Sequence, residues 1–483
     1  MSTNIRELHP KELWNHFADL SAVPRGSRKE ERASRFAADF GQRLGLETSV
    51  DELGNVLIRK PASPGHEKRP PLVLQGHLDM VHQKNSETVF DFDREGIRAR
   101  VEGDWVKAEG TTLGADNGIG VAAAMAVLAS KNLPHPPLEV LLTIDEEMGM
   151  TGANGLQPGW LKGRRLLNLD SEDDTELTIG CAGGLDILVR GSAPTVSAPP
   201  KHDFFEVSLA GLTGGHSGID IHRGRGNANK LMNRLLMAAV NQVGGHICWI
   251  DGGGLRNVIP RESKAVVAVP QEGVALFAGL VESHRDLYSE EYRLTDPHLR
   301  LESCPVKAET EVMEEGFQSR LLAALYTVLS GIYRMSPAVP GLVQTSNNLA
   351  RVLVRDGQLR VDCLTRSSVD TEKRDLAIGI RALFEMIGAQ VQFEGEYTGW
   401  DPNPDSELVR KMTKLYRDVF GEEPKVLACH AGVECGIIGA SHPGMEMISF
   451  GPNIRGAHSP DERVQISSVQ RFWSFLTSAL EKL

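Results

Sequence analysis

Short, continuous apolar runs alternate with amphipathic stretches over the first 170 or so positions of the chain. Pro71–Gly76 (PLVLQG), Leu138–Ile144 and Leu166–Leu169 have strand length, and the alanine-rich stretch Gly118–Ser130 between them has helix length. Upstream, Arg28–Leu44 spaces apolar residues helically among charges, with Ser27 as the expected N-cap, and Gly54-Asn55 marks a hairpin turn. Strands alternating with helices predict βαβ units around a largely parallel sheet, so an α/β domain. In such sheets, functional groups collect beyond the carboxyl ends of the strands.

The pattern changes near Gly191–Lys201 (GSAPTVSAPPK), where Pro, Ser and Ala dominate and a crossing between domains is expected. Beyond it, helical stretches near Ala228–Val243, Gly316–Leu329 and Thr371–Ile387 alternate with strand signals, predicting an α+β region up to Tyr397. After GWDPNPDS come a helix at Glu407–Phe420, strands at Lys425–Cys429 and Glu446–Phe450, and a helix from Ser467. These resemble the first domain. The expected organisation is therefore a first domain built from 1–190 and 398–483, with 191–397 inserted as a second.

With 483 residues, 41% of them hydrophobic, the chain exceeds the size of about 250–300 residues at which single cores stop growing. Its net charge of -12 argues against a nucleic-acid partner, which needs a clustered basic face. No stretch approaches the roughly 18 consecutive apolar residues of a membrane span, and MSTNIRELHP has no apolar core of a secretory signal. Cys181, Cys248, Cys304, Cys363, Cys429 and Cys435 are scattered without a C-x-x-C pair, as suits reduced thiols in the cytoplasm.

Five strand-end positions carry metal-binding chemistry. His77-Leu78-Asp79 follows the run PLVLQG, and residues two apart on extended chain share a side, so Asp79 can hold one nitrogen of His77 while the other meets a metal. Asp116 sits in the glycine-flanked turn GADNG before the alanine-rich helix; taken alone, it would be a helix cap. Asp145-Glu146-Glu147 follows another strand, and clustered carboxylates there repel one another unless cations or protons compensate. Asp170 in LLNLDSED and His458 in GPNIRGAHSPDE complete the set. Together these are the imidazoles and carboxylates that hydrolytic zinc favours.

The motifs HLDMV, GTTLGADNGIG, EEMGMTGA, NLDSED, CAGG, GGHSG, NANKL, RNVIPRE, HAGVECG and GPNIRGAHSPDE, in this order, resemble those of the aminoacylhistidine dipeptidase branch of the zinc-dependent M20 family. The resemblance implies a di-zinc exopeptidase-type catalytic domain with an inserted lid domain. It also implies two zinc ions per subunit, with manganese or cobalt able to substitute. His77, Asp116 and Asp170 would bind one zinc, Asp116, Glu147 and His458 the other, with Asp116 bridging. Asp79 would support His77, and Glu146 would be the general base. A shift of the acidic run by one residue would instead make Asp145 the base and Glu146 the ligand.

The same resemblance nominates His216 of GGHSG as an oxyanion donor, Arg366 of CLTRSSVD as the grip on a substrate carboxylate, and Asn257 of RNVIP as a backbone contact. It implies a cis peptide at Asp116-Asn117, a homodimer, and hydrolysis of small dipeptides including Xaa-His and β-alanyl-histidine. An N-acyl-amino-acid amidohydrolase and a non-catalytic zinc-binding protein stand as alternatives.

Overall fold

In a computed structural model, which describes residues 4–483, the runs Leu72–His77, Leu138–Thr143 and Arg165–Asn168 lie side by side as parallel strands, extended by Glu446–Ser449. This parallel core is four strands wide. On one side it is continued by the antiparallel hairpin Glu47–Val50 and Val56–Lys60, and on the other by Glu176–Cys181 and Lys425–Cys429, making eight strands. Helix Ala115–Ala129 is buried on nearly every face, which is why its sequence lacks a polar stripe. Helices Lys11–Ser21, Glu407–Phe420 and Ile466–Lys482 share its hydrophobic core.

The predicted helix at Arg28–Leu44 starts later, at Glu31. Arg28 lies in the left-handed region, with φ 65, so the helix cannot begin there, and Ser27 is not its N-cap. Its hydroxyl donates to Asp79 Oδ2 at 2.8 Å instead.

Among the described residues the chain divides into two units. The first holds the residues up to Gly180, with Pro402–Ala428 and Val433–Leu483; the second holds Cys181–Asp401 and Cys429–Gly432. The first division thus falls at Gly180/Cys181, ahead of the Pro-rich stretch. Strand Gly183–Ser192 belongs to the second unit because it pairs along its length with Gln358–Ser367 and with Gln390–Tyr397. The Pro-rich stretch is therefore not the expected crossing between domains but a connection inside the second unit.

The second unit contains one pattern twice. Strands His202–Ala210, His246–Gly253, Ser263–Pro270 and Arg300–Pro305, with helices Ala228–Ala238 and Val274–Glu291, run β-α-β-β-α-β and pair in the order fourth, first, third, second. Strands Gly183–Ser192, Val343–Arg355, Gln358–Ser367 and Gln390–Tyr397, with helices Glu315–Thr327 and Asp370–Glu385, repeat that path and that order. The repeats join edge to edge through their second strands, Ile250 opposite Val354, in one antiparallel sheet with one core. The first-named repeat is inserted between the first strand and first helix of the other. GSAPTVSAPPK is the connection between them, closed at its neck by Thr195–Ser197 pairing with Glu311–Met313.

Candidate metal centre

His77 ends its strand with Nδ1 3.3 Å from Asp79 Oδ1. Its Nε2 lies 3.1 Å from Asp116 Oδ1 and 3.3 Å from Asp170 Oδ1. Asp79 is fully buried and does more than orient this imidazole, since Oδ1 accepts the main-chain N–H of Glu146 at 3.0 Å and Oδ2 that of Glu147 at 3.2 Å. One carboxylate therefore sets the direction of two strand ends.

Asp116 is joined to Asn117 by a cis peptide, as the resemblance implied. Its carboxylate does not cap the helix, for the two oxygens face His77 and His458 instead. The N–H groups of residues 113–116 are taken instead by Glu462, which lies just beyond His458 in sequence. Asp116 is thus left free to face the site from both oxygens: Oδ1 toward His77, and Oδ2 at 3.4 Å from His458 Nε2. Asn117 Nδ2 donates to Leu169 O at 2.6 Å, tying this turn to the segment that carries Asp170.

In the acidic run, Glu147 Oε2 lies 2.9 Å from His458 Nε2, whereas Asp145 turns away. Asp145 is buried, accepts from Thr151 Oγ1 at 2.7 Å and lies 3.5 Å from Arg28 Nε, so it shapes the loop from behind. Ligand atoms of His77, Asp116 and Asp170, of His77, Glu146 and Glu147, and of Asp116, Glu147 and His458 each fall within 4.8 Å of one another. All of these residues belong to the first unit.

In the second unit, His216 Nδ1 accepts the N–H groups of Gly218 and Ile219 at 3.2 and 3.1 Å, which leaves the ring proton on Nε2. Burial, then the neighbouring Arg366, holds this imidazole down to about 4, so it is neutral. Arg366 Nη2 stands 3.4 Å from that same Nε2. Both are donors, so this spot favours anionic groups. Arg366 Nη1 also donates to Tyr397 Oη at 2.8 Å. The Asn257 carbonyl accepts from Ser217 N–H at 2.8 Å, pairing the RNVIP loop with the GGHSG loop.

Residues 73–482 match the family model described as Peptidase family M20/M25/M40. The chain belongs to that family. It is 40% identical over 481 residues to the cytosol non-specific dipeptidase of Escherichia coli K12, covering 100% of this chain and 99% of that protein. Its structure matches the aminoacylhistidine dipeptidase of Vibrio alginolyticus with a TM-score of 0.93 and 41% identity, over 100% of this chain and 98% of the other. An aminopeptidase from Bacillus cereus shares the fold alone, with a TM-score of 0.57 at 13% identity over 98% of both chains.

The donor set of this M20 chain fits divalent cations. Glu147 Oε1 is buried without a hydrogen-bond partner, a costly state for an anionic oxygen that a cation would relieve. Burial, with Asp116 and Glu147 nearby, pushes Asp170 up to about 7 against the pull of His77. Burial likewise drives Glu146 well above the ordinary carboxylate range, opposed by His77 and reinforced by Asp170 and Glu147. Hydrogen bonds with Asp116 and Glu147 raise His458 to about 11. These are the marks of anions packed more closely than the local positive charge supports.

Two residues bracing this site escaped the sequence reading. Arg25 is 1% exposed and donates from Nη1 to Leu78 O and Asp79 O at 3.0 and 2.9 Å, and from Nη2 to Gly114 O. A Cβ at Gly114 or Gly118 would stand 2.5 or 2.7 Å from that guanidinium, so the glycines of GADNG make room for it. Glu434, also buried, accepts from Gln75 Nε2 and Thr143 Oγ1 at 2.6 and 2.7 Å, bracing the ends of two strands. The only local hint was, for Glu434, its place in the motif HAGVECG and, for Arg25, a charge shortly before a helix.

Proposed function

We propose that this M20 chain is a metal-dependent dipeptidase holding two zinc ions, for which manganese or cobalt can substitute. The observation that carries the reading is Asp116, whose two oxygens face two different histidines, each with its own further carboxylate. In this reading His77, Asp116 and Asp170 hold one ion and Asp116, Glu147 and His458 the other. Bound there, the ions would lower the pKa of an attacking water and polarise the scissile carbonyl.

Glu146 lies beside that cluster and, in this reading, is not itself a ligand. It accepts the proton of the attacking water and returns it to the leaving amine. His216, neutral with its proton on Nε2, donates to the developing oxyanion. Arg366 grips the substrate's terminal carboxylate through its planar fork, with Tyr397 Oη orienting the guanidinium and Asn257 holding the loop. A grip on the terminal carboxylate selects substrates with a free C-terminus, and the relatives named as dipeptidases support short ones.

A homodimer and a cytoplasmic location belong to the same reading. The location is supported by the cytosolic relative and by the absence of disulfides among the described residues. No helix among those residues is long and apolar enough to cross a membrane.

The reading is tested by offering the zinc-loaded protein dipeptides, tripeptides and N-acyl-amino acids. Dipeptides with a free amine, Xaa-His and β-alanyl-histidine included, are expected to be cleaved. Cleavage of N-acyl-amino acids alone would overturn it in favour of an amidohydrolase.

A further inference from the structure

The segment Leu113–Asp116 presents four consecutive main-chain N–H groups that no helix can use, because the regular helix begins only after Asn117. One side chain satisfies all four. Glu462 Oε2 accepts from Leu113 and Gly114 at 2.8 and 2.9 Å, and Oε1 from Ala115 and Asp116 at 2.7 and 3.2 Å. Its residue is 2% exposed. An anion in front of converging N–H groups at a helix start is favoured by the helix dipole as well as by the bonds themselves.

The arrangement does more than cap a helix, because of what lies on each side of it. Glu462 ends the loop that carries His458, and the turn it grips carries Asp116. Across the turn, Arg25 takes the Gly114 carbonyl together with those of Leu78 and Asp79, on the segment that carries His77. Three ligand-bearing segments, remote in sequence, thus meet through two buried side chains of opposite charge that are not themselves ligands.

We infer that Glu462 is a positioning residue for the metal pair: with Arg25 opposite, it fixes the rotation of the 113–116 turn so that Asp116 offers one oxygen to each ion. This rests on the two-metal reading above. The carboxylate is required because an amide at this position can present only one acceptor atom to four donors, and its NH₂ would face two of them. With the turn released, Asp116 can serve one ion well or the other, but not both at once.

The test is Co²⁺ titration of metal-free protein, followed by visible absorption and by metal analysis after gel filtration. Wild type is expected to take two equivalents; if it takes fewer, the two-metal reading fails and not this inference alone. Glu462→Gln is expected to keep the wild-type far-UV circular dichroism and its first equivalent, while affinity for the second falls about 10–100-fold, the usual effect of losing a group that orients a ligand. The cobalt spectrum changes with it, and kcat falls while KM stays within about threefold.

Glu462→Asp keeps the charge but is one methylene shorter, so it should restore part of the second-site affinity and also serve if the glutamine variant does not fold. Glu462→Gln binding both equivalents with wild-type affinity and spectrum, and losing only thermal stability, would reduce Glu462 to a helix cap and overturn the inference; the same result in Glu462→Asp overturns it where the glutamine variant does not fold.

Discussion

Asp79 Oδ1 accepts the main-chain N–H of Glu146 at 3.0 Å, so the residue proposed as general base is held by the same carboxylate that lies against His77. Glu146 and His77 are thereby set relative to each other without any direct bond between them.

Replacing Asp79 with Asn should therefore disturb both at once. The amide nitrogen would face a main-chain donor, leaving an N–H unsatisfied at a cost of about 1–3 kcal/mol. Metal affinity should fall about 10–100-fold as His77 loses its orienting partner. Calorimetric metal titration and thermal melts of the apo protein check this; wild-type affinity in the variant would mean that Asp79 is not supporting His77.

Glu146 and Glu147 should fail differently. Glu146→Gln keeps its shape but cannot take a proton, so turnover should drop by about 10²–10⁴ with both metals retained. Glu147→Gln removes the proposed anionic ligand, whose oxygen lies 2.9 Å from His458, so metal content should drop and excess metal should restore part of the activity. Metal analysis beside single-turnover kinetics decides between these roles, and reversed results would exchange them.

Arg366→Ala should weaken dipeptide binding by about 2–5 kcal/mol while sparing substrates with an amidated C-terminus. Tyr397→Phe, which removes the acceptor 2.8 Å from the guanidinium, should raise KM by a smaller factor, corresponding to about 1 kcal/mol. Equal losses on free and amidated substrates would show that Arg366 supports structure rather than gripping a carboxylate.

Removing the metals with a chelator should abolish hydrolysis, and zinc, manganese or cobalt should restore it. Activity persisting in protein shown to be metal-free would refute the mechanism.

His430 gives a pH prediction for the second unit. Burial foremost, then Arg366 and His216, lowers it to about 3 from 6.5, while its Nε2 pairs with Ser346 Oγ at 2.8 Å. Between those values the unfolded chain binds a proton that the native state refuses, so stability falls as pH drops from 6.5 toward 3. By pH 5 the loss should reach about 2 kcal/mol. Urea unfolding of metal-free wild type and His430→Gln at pH 7 and pH 5 should show the variant losing less; parallel losses would mean that His430 is protonated in the native state.

Much of the site was legible in the chain because apolar runs mark strands, and a polar residue directly after such a run must lie at the strand's end. His77, Asp170, His458 and the run Asp145-Glu146-Glu147 were placed by that rule, Asp116 by its glycine-flanked turn before a helix, and the motif order supplied their roles. The register of the acidic run was not decided locally. It needed the tertiary structure, in which Asp145 turns back to Thr151 and Arg28 while Glu147 meets His458.

What the sequence by itself determined was the set of strands, the chemistry at their ends and the family motifs, because these depend on neighbours along the chain. What only the tertiary structure decided was who holds whom. Glu462 meets the amide of Asp116 across 346 positions, Ser27 leaves its helix for Asp79, and Gly183–Ser192 joins the second unit despite the Pro-rich stretch that follows it. The physical reason is common to all three. Buried donors and acceptors must find partners wherever packing brings them, and no local pattern records which distant group will arrive.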